Sequence, residues 1–544
     1  MARNLSESGE TLASTPATPW FRDPVTLIPA AACVSLLISS VVVSGKKPLW
    51  NDEMLSLVLL QDPSFTHMMG AWGDTFNQAP PLYFVLGWLW DKLAGSSDVS
   101  LRLFGSAALS VALLLTWLGL RKVWGSLPAA IGTVSVYCFV DLILYHNAEV
   151  RMYGLFAATC AAGFLVRQNM AHSERVALPY LVWNALVQAA IVLTHLYGLL
   201  YSGALLVSLL IADRLFRRPI RLKLYASFVT GWLFLLPFVP GLINQSRNKA
   251  QWFQTVAPKE FAALYMITPD FRGYLVVVLL LYPVIVVLSF IARQSRTGDQ
   301  GDSRELAEVS TIVASIGFLL VPVVAWCVTL LIRPMLVDRY ILPTVAISWA
   351  VAMTVVLAKL LFPDQSERRF SIPGRPGGAS IVRCFAIAAL TLPALAYPLY
   401  YARHYPYHGP PGESDPAYGY GDLPIAMEAG HDYLPRIRYA KKPERYFHIR
   451  DWDVARHDTG NIFATGDYTH LSALARHYAY IQSVQGKRFL SEHDRFLVWD
   501  EPDQKWFEWR IRSNPAYRVT PIAKEEGSTG PLQLFLVEQS IHSR

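Results

Sequence analysis

Charged side chains are scarce in this chain, and many of those in its apolar part fall into short clusters. Asp52 and Glu53 adjoin in WNDE (Trp50–Glu53). Glu149 and Arg151 stand two apart in HNAEVRMYG (His146–Gly154), and His195 lies in THLYG (Thr194–Gly198). Asp338 and Arg339 precede Tyr340 in RPMLVDRY (Arg333–Tyr340). Adjacent carboxylates disfavour double ionisation, so one of such a pair can accept a proton from a reacting hydroxyl. An Arg fork at a helix start, beside free backbone N–H groups, can face an anion. Arg151 is the first candidate for that task, Arg339 the second and Arg102 the third. Bland alternatives stand beside each. The acidic pair can balance Lys46 and Lys47, the arginines can snorkel to headgroups, and His195 can be a satisfied structural residue.

The elements that must position these residues are apolar. Of 544 residues, 53% are hydrophobic and 16% charged, and the mean hydropathy is +0.29. Soluble domains carry about a quarter charged residues. Apolar runs recur through to Tyr400, and their lengths predict about eleven membrane spans. Their centres fall near Leu36, Val111, Gly132, Thr159, Val187, Leu205, Leu233, Leu279, Leu320, Ala346 and Leu390. The net charge of +7 fits a positive-inside bias, and no nucleic-acid motif accompanies it. Cys33, Cys138, Cys160, Cys327 and Cys384 lie in or beside apolar runs without metal-ligand spacing, so they read as small buried hydrophobes.

A cytoplasmic N-terminal segment (1–24) and alternating spans put most Lys/Arg-rich loops inside, among them Arg121–Lys122, Arg214–Lys223, Arg293–Arg304 and Lys359–Arg383. The transmembrane part is expected over 25–402. Outside then lie the first loop (45–100), the three charged corners and everything after Tyr401. Within the first loop, APPLYFVLGWLWDKLAG (Ala79–Gly95) is too short to span and reads as a re-entrant or interfacial helix. The Pro-, Gly- and Tyr-rich stretch 403–422 reads as a linker. Residues 423–544 alternate strand-like and helical patterns, as a small α/β domain would. Strands are expected at Arg445–Trp452, Asn461–Asp467, Arg495–Glu501, Tyr517–Ala523 and Leu532–Glu538, with helices at His470–Gln482 and Asp503–Ser513. No glycine-rich phosphate loop occurs there.

WNDE, QAPPLYFVLGWLWDKLAGSSDVSLRLFGSAAL, HNAEVRMYGL, THLYGLL and DRYILPTVA, in this order, resemble the polyprenyl-phosphate-sugar-dependent glycosyltransferases of the GT-C class. That class includes protein O-mannosyltransferases and lipid A aminoarabinose transferases. The resemblance covers about Pro24 to Tyr400. It implies an all-α polytopic bundle, a polyprenyl-phosphate-linked sugar as donor, and an extracytoplasmic glycan, lipid or protein hydroxyl as acceptor. It also implies Asp52 as general base with Glu53 as its positioning neighbour; physics alone does not choose between the two. Glu149, His195, Tyr83 and Tyr340 become supporting residues of the same motifs. Glu149 either orients Arg151, which the E-x-R spacing favours, or holds a divalent metal, the only cofactor the resemblance raises. One departure is visible: Ala79 stands where the family often has His before Pro-Pro-Leu-Tyr, and His67 cannot be assigned as its replacement.

The expectation is thus an inverting membrane glycosyltransferase in a bacterial inner membrane. The alternatives are a transporter or flippase of lipid-linked sugars, and a non-catalytic protein of the same fold. A transporter should carry charges at the bilayer midplane and an internal repeat. The charges here gather at corners, and no repeat is visible.

Overall fold

A computed structural model describes residues 19–171, 173, 176–247, 257, 281–287, 302–332, 334–360, 378–457, 463–501, 504–527 and 530–540. The span centred on Leu279, with Arg175, Arg293, Arg296 and Arg333, lies outside the described residues.

Five helices among the described residues are long and apolar enough to cross a membrane: Pro24–Ser44, Asp98–Trp124, Gly198–Leu215, Leu222–Gln245 and Glu305–Leu331. A sixth is possible if Ser126–Phe139 and Asp141–Asn147, bent by 70°, count as one broken span. Leu178–Thr194 and Thr344–Leu360 are shorter apolar helices. The chain is an integral membrane protein by these helices. Their outward sides keep large apolar residues exposed, such as Leu27, Val34, Val207 and Leu320, as lipid-facing surfaces do.

The bundle is held by close helix pairs. Asp98–Trp124 packs along Tyr153–Ala171, Leu27–Ser44 along Asp98–Trp124 and Gly378–His404, and Gly198–Leu215 along Asp302–Leu331. One contact sets the site directly. A Cβ on Gly154 would sit 2.3 Å from the Gly105 carbonyl oxygen, and one on Gly105 would sit 2.9 Å from that of Glu149. Only glycine allows this approach. It draws the Glu149–Arg151 corner against the helix that carries Arg102.

The first loop is helical: Asn51–Leu60, Phe65–Trp72 and Leu82–Ala94. The third begins directly after Pro80-Pro81, where proline suits a helix start. The C-terminal part forms a six-stranded sheet in the order β3-β2-β1-β4-β6-β5. The strands are β1 (Ile425–Met427), β2 (Tyr446–Arg450), β3 (Ser483–Gln485), β4 (Arg495–Asp500), β5 (Tyr517–Glu526) and β6 (Pro531–Gln539). The first four are parallel, and β6 and β5 are antiparallel.

The strand expected at Asn461–Asp467 is not there. From Phe463 the chain is helical to His477, with Asn461 and Ile462 outside the described residues. Ala464, Tyr468, Leu471 and Leu474 are all buried, and that spacing is a helical stripe, which overrides the strand preference of Ile-Phe. The stretch 403–422 packs into the sheet: the Asp415 carboxylate accepts from Arg436, Tyr446 and Trp499.

The C-terminal part is docked on the first loop by its carboxylates. Tyr478 donates to Asp62 at 2.8 Å, Arg476 pairs with Asp74 at 2.8 Å, and Arg438 and Tyr439 reach Asp98.

Candidate functional site

Helix Asn51–Leu60 presents its first turn to the centre of the site. Its N-cap, Trp50, donates its backbone N–H to Glu53 Oε2 at 3.2 Å, which fixes that turn. The two carboxylates of WNDE then diverge. Glu53 points inward and is fully buried. Arg102 grips it in a fork, Nε to Oε1 at 2.9 Å and Nη2 to Oε2 at 2.7 Å, and Val150 N–H donates to Oε1 at 2.8 Å. Arg102 also donates to the carbonyls of Lys47 and Pro48. The guanidinium of Arg102, the third donor-phosphate candidate of the sequence, is thus buried and engaged by Glu53 and two backbone carbonyls. Glu53, with both oxygens engaged, is placed to position rather than to accept a substrate proton.

Asp52 points the other way and keeps a side-chain exposure of 20%. Its Oδ2 lies 3.3 Å from Arg339 Nη2 and 3.8 Å from Arg151 Nη2. Arg151 also donates to the Asp52 carbonyl at 3.0 Å and to Ser56 Oγ at 3.1 Å. A carboxylate flanked by two partly exposed guanidinium groups can meet both a hydroxyl and a phosphate. Asp338–Ile341 is a 3-10 turn, and π-helical Thr344–Ser348 follows it. Such bulges recur at functional sites, and it is from the 3-10 turn that Arg339 reaches Asp52.

Glu149 does not orient Arg151 by a direct bond. Its Oε1 accepts from Trp50 Nε1 at 3.1 Å, and its Oε2 meets His146 Nδ1 at 2.5 Å. Burial pushes its carboxyl up, but His146, Lys47 and Arg151 hold it down at about 2. With both oxygens engaged, Glu149 is a poor metal ligand here.

His195 is buried, stacks on Phe156 at 4.9 Å and touches the Tyr340 ring at 4.6 Å. Its Nδ1 accepts from the Tyr197 N–H at 3.1 Å, which puts the imidazole proton on Nε2. Tyr83 is buried against Phe84 and Phe104, with a hydroxyl that finds no partner among the described residues.

Sequence reasoning missed four contributors. Tyr153 is buried beneath both cations, with Arg151 and Arg339 at 5.9 and 6.0 Å from its ring centre. Its place in HNAEVRMYG was the available signal. His146 opens the same motif. Lys47 lies over the Tyr145 ring at 4.3 Å. His470 comes from the C-terminal part: burial pushes its imidazole down, against the opposing charges of Asp467 and Asp52. No local sequence signal links His470 to Asp52.

An apolar groove of about 330 Å³ runs between Gly198–Leu215 and Asp302–Leu331, lined by Leu200, Ala204, Val207, Ile211, Leu320 and Val324 among others. It begins one turn beyond the His195 corner. Eleven residues separate Leu200 from Ile211, so it extends about 16 Å along the helix.

No family model matches the chain, and no curated protein matches it in sequence. Solved structures do. ArnT from Cupriavidus metallidurans in the apo state superposes with a TM-score of 0.57 at 12% identity, over 94% of this chain and 97% of that one. The same protein bound to undecaprenyl phosphate gives 0.53 with the same identity and coverage. An oligosaccharyltransferase from Archaeoglobus fulgidus gives 0.41 over 76% of this chain and 63% of that one. The bundle, the helical first loop and the C-terminal sheet therefore share the fold of the ArnT structures along nearly the whole chain.

Proposed function

We propose that the protein is an inverting glycosyltransferase. It moves a monosaccharide from a polyprenyl-phosphate donor to a hydroxyl acceptor on the extracytoplasmic side of a bacterial inner membrane. The observation that carries this is Asp52, partly exposed between Arg151 and Arg339. Asp52 accepts the proton of the attacking hydroxyl. The acceptor oxygen forms its bond to the anomeric carbon from the face opposite the leaving phosphate, and the C–O bond to the phosphate breaks. Arg151 and Arg339 stabilise the charge left on the polyprenyl phosphate. Glu53 and Arg102 hold the helix start that carries Asp52, and Glu149 fixes Trp50 and His146 beside it. His195 and Tyr340 pack together beside Tyr153, which underlies the two cations.

The groove suits the prenyl chain. That ArnT was solved with undecaprenyl phosphate supports the choice of donor class. On the topology expected from the sequence, with a cytoplasmic N-terminus, about eleven spans and an extracytoplasmic C-terminal domain from 423, the site faces the outer surface. The charges gather at helix ends rather than at the bilayer midplane, which favours an interfacial enzyme over a flippase.

The test offers purified protein a panel of polyprenyl-phosphate sugars with membrane extract as acceptor. Release of free polyprenyl phosphate together with one glycosylated product supports the proposal. Donor binding without release, whatever the acceptor, sinks it in favour of a carrier.

A further inference from the structure

The parallel strands of the C-terminal sheet contain a topological switch point. From β1 the chain moves outward through β2 to β3, then returns to place β4 on the other side of β1. In open α/β sheets, ligands bind outside the carboxyl ends of the strands at that point. Here β1 runs into Glu428, Gly430, His431 and Asp432, and β4 into Asp500 and Glu501.

His431 organises the cluster. Its Nε2 lies 3.2 Å from Glu501 Oε1 and 3.6 Å from Asp432 Oδ2. Its Nδ1 lies 3.4 Å from Asp467 Oδ2, which also accepts the Gly430 N–H at 3.1 Å. One atom each from His431, Asp432 and Glu501 falls within 4.8 Å of the others. Donor atoms around a tetrahedral ion at about 2.0–2.1 Å sit about 3.3 Å apart. The two Nε2 separations straddle that value. The second ring nitrogen, held by a carboxylate, is the usual support of a metal-bound imidazole.

Burial points the same way. Asp432 and Glu501 are both buried, so neither is an ordinary solvated surface carboxylate. Glu428, 1% exposed, stands beside Glu501 and shares a side-chain hydrogen bond with Asp500. Gly430 makes room: a Cβ there would meet Asp467 Cβ, Cγ and Oδ2 at 3.0 Å.

We infer that the switch point of the C-terminal sheet is a divalent-metal site. His431 Nε2, Asp432 and Glu501 are its ligands, and Asp467 orients the imidazole. One nitrogen and two carboxylates, with a position left open, favour zinc or manganese over calcium or magnesium. The ion ties the sheet to helix Phe463–His477 through Asp467. One turn along the same helix is His470, whose imidazole feels the charge of Asp52. The site therefore acts as a staple that holds this helix over the candidate centre.

The test is metal content and thermal unfolding of the full-length protein, purified in detergent without chelator. The expected result is about one zinc or manganese per chain. Chelation should lower the unfolding midpoint, and re-adding Zn²⁺ or Mn²⁺ should restore it. Glu501→Gln should lose the ion while unfolding where the chelated wild type does. Asp467→Asn should keep it with affinity weakened about 10- to 100-fold. Wild-type protein with less than about a tenth of an ion per chain, and no midpoint shift with Zn²⁺, Mn²⁺ or Ca²⁺, overturns the site, leaving an imidazolium bridging carboxylates. Undiminished metal in Glu501→Gln overturns it equally, because the ion would then be held elsewhere.

Discussion

Replacing Glu53 by Gln should cost mainly stability. Glu53 is fully buried, and its oxygens collect donors from Arg102 Nε, Arg102 Nη2, Val150 N and Trp50 N at 2.7 to 3.2 Å. A glutamine oxygen can keep the Oε1 set. Its amide nitrogen would then face the Arg102 and Trp50 donors, and the buried guanidinium would lose its counter-charge. Breaking one partner of a buried pair costs about 3–5 kcal/mol. Val150 and Arg151 are consecutive, so the loss should also loosen one of the two cations beside Asp52. The assay is equilibrium unfolding in detergent of Glu53→Gln, Arg102→Met and the double variant. The double variant should recover much of the loss, because an apolar replacement leaves no stranded charge. A Glu53→Gln protein within about 0.5 kcal/mol of wild type, yet inactive, would refute the clamp and make Glu53 a chemical participant.

Other outcomes follow from the same geometry. Arg339→Ala should weaken polyprenyl-phosphate binding about 10- to 100-fold, the worth of one charge-assisted hydrogen bond, read by displacement of a labelled lipid phosphate. Val207→Trp, on the groove wall, should slow transfer from a long-chain donor more than from a short-chain analogue in paired rate measurements. Glu149 is held at about 2, below its ordinary 4.5. It therefore contributes stability fully present above about pH 4.5 that is lost as pH falls toward 2. Glu149→Gln should flatten that acid limb in unfolding midpoints measured across pH.

The charged corners were legible in the sequence because charges are rare between apolar runs. WNDE, HNAEVRMYG and DRYILP converge in space, bringing together Asp52, Arg151 and Arg339. Roles were less legible than positions. Nothing in the spacing shows that Arg102 reaches back across 49 residues to Glu53, so it read as another exposed cation. Asn461–Asp467 misled because Ile-Phe favours a strand locally, whereas the buried stripe from Ala464 to Leu474 appears only over a longer window. β1 and β3, three residues each, are too short to leave a periodic signal. The His431 cluster draws on three positions spread over 70 residues, and only the return of β4 beside β1 unites them.

The central claim is that Asp52 is the base of a sugar transfer, and Asp52→Asn tests it most directly. The isosteric amide can still accept from Arg339 while losing the proton acceptor. With a donor that wild-type protein consumes, Asp52→Asn should show an unchanged unfolding profile, retained polyprenyl-phosphate binding and a rate lowered about 10²- to 10⁴-fold. A folded Asp52→Asn protein that transfers sugar at the wild-type rate would contradict that claim.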